Sequence, residues 1–141
     1  MRMFKMFGLL CLLASGAAVA QAAAPPSTAA TPPEAKVSEL MSKALKDYPG
    51  KEALMITVVY PPGAVDPVHR HNAHAFVYVL EGSIVMGLKG GKEVTLTPGQ
   101  TFYEGPDDVH TVGRNASNTK PAKFLVLLLK NENEPVLRLV P

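Results

Sequence analysis

The sequence predicts an all-β fold, a sandwich or small barrel, and three observations carry that prediction. β-Branched and aromatic residues gather in short runs. Gly and Pro pairs punctuate those runs at regular intervals. Little of the chain beyond Tyr48 carries helical periodicity. Many short strands separated by tight turns bury their apolar faces best when a sheet folds onto another sheet or closes on itself.

Taken in order, residues 36–48 are ambiguous. Val37, Leu40, Met41, Ala44 and Leu45 fit helical spacing, and an edge strand fits as well. Residues 51–60 hold Leu54, Met55, Ile56, Val58 and Val59 and stop at Pro61-Pro62-Gly63, which reads as a strand and its turn. Residues 74–81 (HAFVYVLE) are apolar on both faces, the pattern of a strand buried on both sides. Residues 83–89 and 92–97 flank Gly90-Gly91, which predicts a two-residue hairpin. Thr97-Pro98-Gly99-Gln100 places Pro and Gly at the central positions of a type II turn. A strand over 100–104, a turn over 105–108, a buried strand over 123–130 (KFLVLLLK) and a last short strand over 136–140 complete the series.

The N-terminus reads differently. Arg2 and Lys5 precede a short apolar stretch, and Ala18-Val19-Ala20 forms a small-x-small cleavage site, so residues 1–20 read as a secretory signal peptide. The apolar run is shorter than the roughly 20 residues a membrane span needs, so no stable anchor is expected after cleavage. Residues 21–35, almost all Ala, Pro, Ser and Thr at first, read as a disordered linker. Residues 36–141 then form one domain with one core. The expected location is periplasmic or secreted.

Cleavage also changes the chemistry available. The single cysteine, Cys11, leaves with the signal, which excludes a disulfide, a Cys-ligated zinc and a Cys nucleophile in the mature protein. Of 14 basic and 12 acidic residues, two basic ones leave, so the domain is neutral and gives no support for nucleic-acid binding.

The four histidines carry the functional signal. His69 and His71 lie one residue apart, so in extended backbone both imidazoles point to one side. His110 follows the Gly105-Pro106-Asp107-Asp108 turn after an apolar strand. Three imidazoles suit zinc, iron, nickel or copper and suit calcium or magnesium poorly. Such a site, with open positions, polarises a substrate or activates a water. Against this stands the reading of His69 and His71 as surface residues on a turn.

Two stretches resemble a known family. Gly63, five residues, His69-x-His71 and then Gly82 look like the first motif of the cupin superfamily, and HAFVYVLEGS resembles the strand that closes it. Gly99, a strand, the Gly105–Asp108 turn and His110 resemble the second motif. The resemblance implies a jelly-roll-like β-barrel, often homodimeric, with a metal held inside by His69, His71 and His110.

The sequence departs from the family where the chemistry is most sensitive. The first motif expects a metal-binding Glu at position 75, or at 76 with the alternative spacing, and these are Ala75 and Phe76. Three neutral ligands leave a divalent ion its full charge, which favours an anionic substrate or hydroxide and disfavours manganese relative to zinc, copper, nickel or iron. In the second motif Gly105 and Asp107 take the usual Pro and Gly places, and Asp107 is expected to supply a left-handed turn conformation. The Asn that often follows is displaced to Asn115, with Arg114 in its place. Asn115 also begins a sequon-like Asn115-Ala116-Ser117 that has no evident use in a bacterial host.

Three further residues are secondary candidates. His74 is a candidate fourth ligand, although strand alternation favours a hydrogen-bonded rim histidine. Glu104 is a candidate to replace the missing Glu or to act as a general base, with an exposed outward charge as the favoured reading. Tyr103 is a candidate hydrogen-bond partner for a ligand, with barrel packing as its default role. Two functional classes follow: an exported metal-binding cupin that captures a small molecule, and a metal-dependent enzyme, either a dioxygenase or an isomerase or hydrolase using a metal-bound water. A separate, non-catalytic reading is a small structural barrel whose site no longer holds metal.

Overall fold

The structure, a computed structural model, describes residues 31–141. The expected signal peptide and the first ten linker residues lie outside the described residues.

Ten strands form two antiparallel five-stranded sheets. They are β1 (Lys36–Ala44), β2 (Lys51–Tyr60), β3 (His69–Arg70), β4 (Ala73–Glu81), β5 (Ile84–Leu88), β6 (Val94–Leu96), β7 (Thr101–Glu104), β8 (His110–Asn115), β9 (Ala122–Asn131) and β10 (Arg138–Leu139). One sheet runs β1-β2-β9-β4-β7 and the other β10-β3-β8-β5-β6. This all-β, two-sheet arrangement is that of a jelly roll.

The core lies between the sheets and follows strand alternation. Leu54, Ile56, Val58 and Tyr60 of β2 face inward, as do Phe124, Val126 and Leu128 of β9 and Val77 and Val79 of β4. Ile84, Met86 and Leu96 meet them from the second sheet. The chain passes from β4 to β5 through Gly82 at φ 69°, where a Cβ would fall 2.5 Å from the Pro121 carbonyl oxygen and 2.8 Å from Ala122 Cα. Both the backbone conformation and the space demand glycine there.

Several expectations are corrected. Of the two readings left open for residues 36–48, the edge strand is the one that forms, over Lys36–Ala44. It pairs with β2 from Lys36↔Val59 to Ala44↔Glu52, with an irregularity between Glu39 and Met41. That bulge breaks the two-residue alternation, which is why the apolar spacing imitates a helix. The Gly90-Gly91 hairpin is wider than two residues, because β5 ends at Leu88 and β6 begins at Val94. The Thr97–Gln100 turn forms as expected, with Gly99 at φ 89° and the Gln100 N–H donating to the Thr97 carbonyl at 3.0 Å. Among the described residues Asn133 is the only non-glycine with positive φ, so Asp107 does not adopt the left-handed conformation. Instead the Asp108 carboxylate accepts from the Gly105 N–H at 2.7 Å and closes that turn.

Burial of β4 and β9 is one-sided. Phe76, Tyr78 and Leu80 of β4 stand exposed on the outer face, beside the half-buried Leu125 and Leu127 of β9 and Met55 and Val59 of β2. The sequence pattern calls for two covered faces, and the described residues cover one.

Candidate metal centre

The site is built where the short strands β3 and β8 meet the interior of the other sheet. His69 and His110 are direct cross-strand partners. His71 lies one residue beyond β3 and turns inward like His69, while Arg70 between them is exposed. From the opposite side, β7 alternates Thr101 and Tyr103 outward with Phe102 and Glu104 inward. Glu104 is only 3% exposed, so the expectation of an outward charge is overturned.

The four side chains converge. Their ligating atoms all lie within 4.8 Å of one another, and all four residues are buried. His71 Nε2 and His110 Nδ1 each stand 3.5 Å from Glu104 Oε2, and His110 Nδ1 stands 3.4 Å from His69 Nε2. Two of the rings are oriented by backbone carbonyls: His69 Nδ1–H donates to Pro67 at 2.9 Å, and His71 Nδ1–H to Val136 at 2.5 Å. These bonds fix the tautomer and leave each Nε2 lone pair aimed at the shared centre.

The protonation states fit the same picture. Burial, with His69 next to it, brings the His110 imidazole down to about 4. Burial also lowers His71. Glu104 is pushed up to about 7 by burial, then by Asp108 and Asp66. The close His–Glu approaches are therefore not ion pairs between charged groups, because the rings are neutral at pH 7. Among the described residues, buried Glu104 Oε2 and His110 Nε2 have no hydrogen-bond partner. Orphaned buried polar atoms are costly, and a cation among these donors would meet the Glu104 oxygen. Three imidazoles and one carboxylate are a donor set suited to a divalent transition metal.

The cluster opens into a cavity of about 80 Å³ lined by Ile56, Val58, Phe124, Val126, Val136 and Leu137 as well as Ala35 and Val37. The C-terminal segment that carries Val136 and Leu137 is held in place at two points. The buried Lys130 ammonium pairs with Glu52 and donates to the Glu134 carbonyl at 2.7 Å, and β10 pairs with β3.

The remaining candidates lie elsewhere. His74 points outward and its Nδ1 shares a 2.7 Å hydrogen bond with the Tyr103 hydroxyl, which is itself exposed. Neither side chain is brought to the cluster, and Tyr103 packs on the outside of the sheet rather than inside it. Asn115 is buried. Its Nδ2 donates to the carbonyls of Tyr60, Pro61 and Lys120 at 3.1, 3.0 and 2.8 Å, so this asparagine is a clamp on the 60–61 and 120 backbone. Asp66 and Tyr60 were not singled out by sequence. Asp66 lines the cavity and accepts the Tyr60 hydroxyl bond. Its position three residues before His69, inside the first histidine motif, is the one trace of this in the sequence.

Comparison with known proteins agrees with this architecture. Residues 56–128 match the family described as Cupin domain. No curated protein matches the chain. Among solved structures, a DMSP lyase from Ruegeria pomeroyi superimposes with a TM-score of 0.55 at 24% identity, over 62% of this chain and 43% of that one. A conserved protein with a double-stranded β-helix domain from Klebsiella pneumoniae gives 0.59 at 18% identity, over 77% and 85%. A polyketide cyclase from Streptomyces resistomycificus gives 0.57 at 21%, over 76% and 71%. The chain thus spans under half the length of the lyase, and these likenesses bear on the fold.

Proposed function

The chain belongs to the cupin domain family, and we propose that it is an exported metal-binding cupin that holds one divalent transition metal through His69, His71, His110 and Glu104 and binds a small molecule beside it. The observation that carries this reading is the convergence of four buried donor groups within 4.8 Å, two of them with atoms that lack a hydrogen-bond partner among the described residues. A divalent ion there supplies a Lewis acid to an oxygen of the bound molecule. The protein's own part is to keep His71 and His110 neutral, orient His69 and His71 by carbonyl bonds, and surround the ligand with apolar side chains. The donor set suits zinc, iron, nickel or copper.

Metal analysis of the mature protein from its native compartment tests this, beside His69→Ala and His110→Ala. The expected result is near one equivalent of a transition metal, lost in both variants. Sub-stoichiometric metal that neither substitution changes contradicts it. N-terminal sequencing of the same material tests export, with cleavage after Ala20 expected.

The second reading, a metal-dependent enzyme, is favoured by Asp66, a carboxylate that faces the cavity in addition to Glu104. Oxygen uptake by iron-loaded protein against phenols, thiols and diketones tests its dioxygenase form.

The partner reading is a second copy of this chain, seated on the outer face of the β1-β2-β9-β4-β7 sheet. The two-sided apolar pattern of β4 and β9 supports it, as does the size of the face. Five strands at about 4.8 Å spacing and seven or eight residues at about 3.3 Å give roughly 600 Å² in plan, close to the ~800 Å² per partner of a standard interface. Sedimentation of the unmodified protein and of Phe76→Glu is the test, with a dimer expected for the first and a monomer for the second.

A further inference from the structure

Asp66 reaches the cavity from the loop between β2 and β3, and its placement is built rather than incidental. Its backbone N–H donates to the Gly113 carbonyl at 2.8 Å, and its Oδ2 accepts the hydroxyl of Tyr60, a residue 1% exposed. The Tyr60 ring packs edge-on against Phe124, which lines the same cavity, at 4.9 Å between centroids. A Cβ on Gly113 would fall 3.1 Å from His110 Cε1, 3.1 Å from the Tyr60 hydroxyl oxygen and 3.2 Å from Asp66 Oδ2. The carboxylate, the phenol and the histidine therefore converge on a bare glycine Cα that leaves room for all three. Among the described residues no side chain or backbone donor reaches Asp66 Oδ1.

This changes the charge a ligand meets. With three neutral ligands, a divalent ion presents its full charge and draws anions. Glu104 halves that charge, and Asp66 beside the cluster offsets the remainder. The rest of the cavity is apolar and small, with room for roughly two or three water volumes at about 30 Å³ each.

We propose that Asp66, held by Tyr60, is the specificity-determining residue of this cavity, so that the site takes small uncharged ligands carrying a hydrogen-bond donor beside the ligating oxygen, such as short hydroxy-carbonyl compounds, and turns carboxylates away. The proposal rests on the metal-site reading above. Asp66 accepts the ligand's donor through Oδ1, the apolar wall covers its carbon atoms, and an anion in the same place meets a like charge across a low-dielectric gap.

Glycolate and glycolamide, alike in size and differing in charge, are the probes, titrated into the cobalt(II)-loaded full chain and followed by its visible absorption. The unmodified protein is expected to bind glycolamide at least as tightly as glycolate. Asp66→Asn is expected to shift the ratio at least tenfold toward glycolate at unchanged cobalt stoichiometry. Tyr60→Phe, which keeps the charge, is expected to shift it less than threefold. Asp66→Ser replaces Asp66→Asn if the latter does not fold, and the unmodified protein decides on its own if neither does. An unmodified protein that prefers glycolate, or a ratio that removing the charge does not move, overturns the proposal. Cobalt that fails to bind the unmodified protein overturns the metal-site reading, and this inference falls with it.

Discussion

Ala75 and Glu104 are cross-strand partners: β4 and β7 pair antiparallel with these two residues opposite one another, and both side chains are buried on the inner face. The position where the family resemblance calls for a ligating Glu thus holds a methyl group, and a carboxylate arrives from the facing strand instead. Directly opposed residues have Cβ atoms only about 5 Å apart, so a side chain as long as Glu reaches the same space from either strand. The small Ala75 leaves that space open.

Glu104→Gln separates the carboxylate's charge from its shape. In the metal-free protein the fold raises Glu104 from 4.5 to about 7, so it favours the protonated acid. That contribution is present below the ordinary carboxylate range and is lost as pH rises through about 7. At roughly 1.4 kcal/mol per unit, the buried charge costs on the order of 3 kcal/mol above pH 7. Metal-free Glu104→Gln is therefore expected to melt several degrees above the metal-free parent at pH 8 and close to it at pH 4.5. Equal melting temperatures at pH 8 contradict the burial of that charge.

Metal affinity follows pH through the same group. Below about pH 7 a divalent ion must displace the Glu104 proton, and near pH 4 the His110 proton as well. Zinc affinity measured by competition with a chromophoric chelator is expected to be level above pH 8. It is expected to fall about tenfold per unit from pH 7 to pH 5, and more steeply near pH 4. A flat profile from pH 8 to pH 5 contradicts Glu104 as a ligand.

The C-terminal segment touches the centre at two places: the Val136 carbonyl accepts from His71 Nδ1–H, and β10 pairs with β3 at Leu139↔His69. Removing residues 136–141 frees that ring and strips Val136 and Leu137 from the cavity wall. Partners of this kind are worth about 10–100-fold in metal affinity. The truncated protein is expected to lose zinc affinity by that factor, read by the same competition assay. An unchanged affinity shows that neither the Val136 bond to His71 nor the β10 pairing beside His69 holds the centre.

Asn115→Ala is the structural control. It leaves three carbonyls, those of Tyr60, Pro61 and Lys120, without their buried donor. The expected cost is about 2–4 kcal/mol in urea unfolding, with zinc stoichiometry unchanged in the folded fraction.

How much of this was legible in the sequence depended on how local the determinants are. Residues 51–60 and the Thr97–Gln100 turn were readable because alternation and Pro-Gly chemistry act within a few residues. His69, His71 and His110 could be named as a group because two lie at strand spacing and the third follows a turn. The inward placement of Glu104 departs from the expected exposed charge, a default set by residue type alone, since Glu is almost never fully buried unless paired. Thr101 on the outer face and Phe102 on the inner one were the available clue. Which residue faces Ala75 is a matter of register between strands distant in sequence, and periodicity within one strand does not contain it. Residues 36–48 read equally as helix or edge strand for a related reason, since the irregularity between Glu39 and Met41 is set by pairing with β2.

Zinc titration of three proteins tests the relocated carboxylate most directly: the unmodified chain, Glu104→Ala, and Glu104→Ala combined with Ala75→Glu. One tightly bound ion is expected in the first, and affinity weaker by on the order of 100-fold or more in the second. In the third, recovery to within tenfold of the first is expected, because the carboxylate returns to the same space from β4. Binding in Glu104→Ala as tight as in the unmodified chain contradicts the relocated carboxylate.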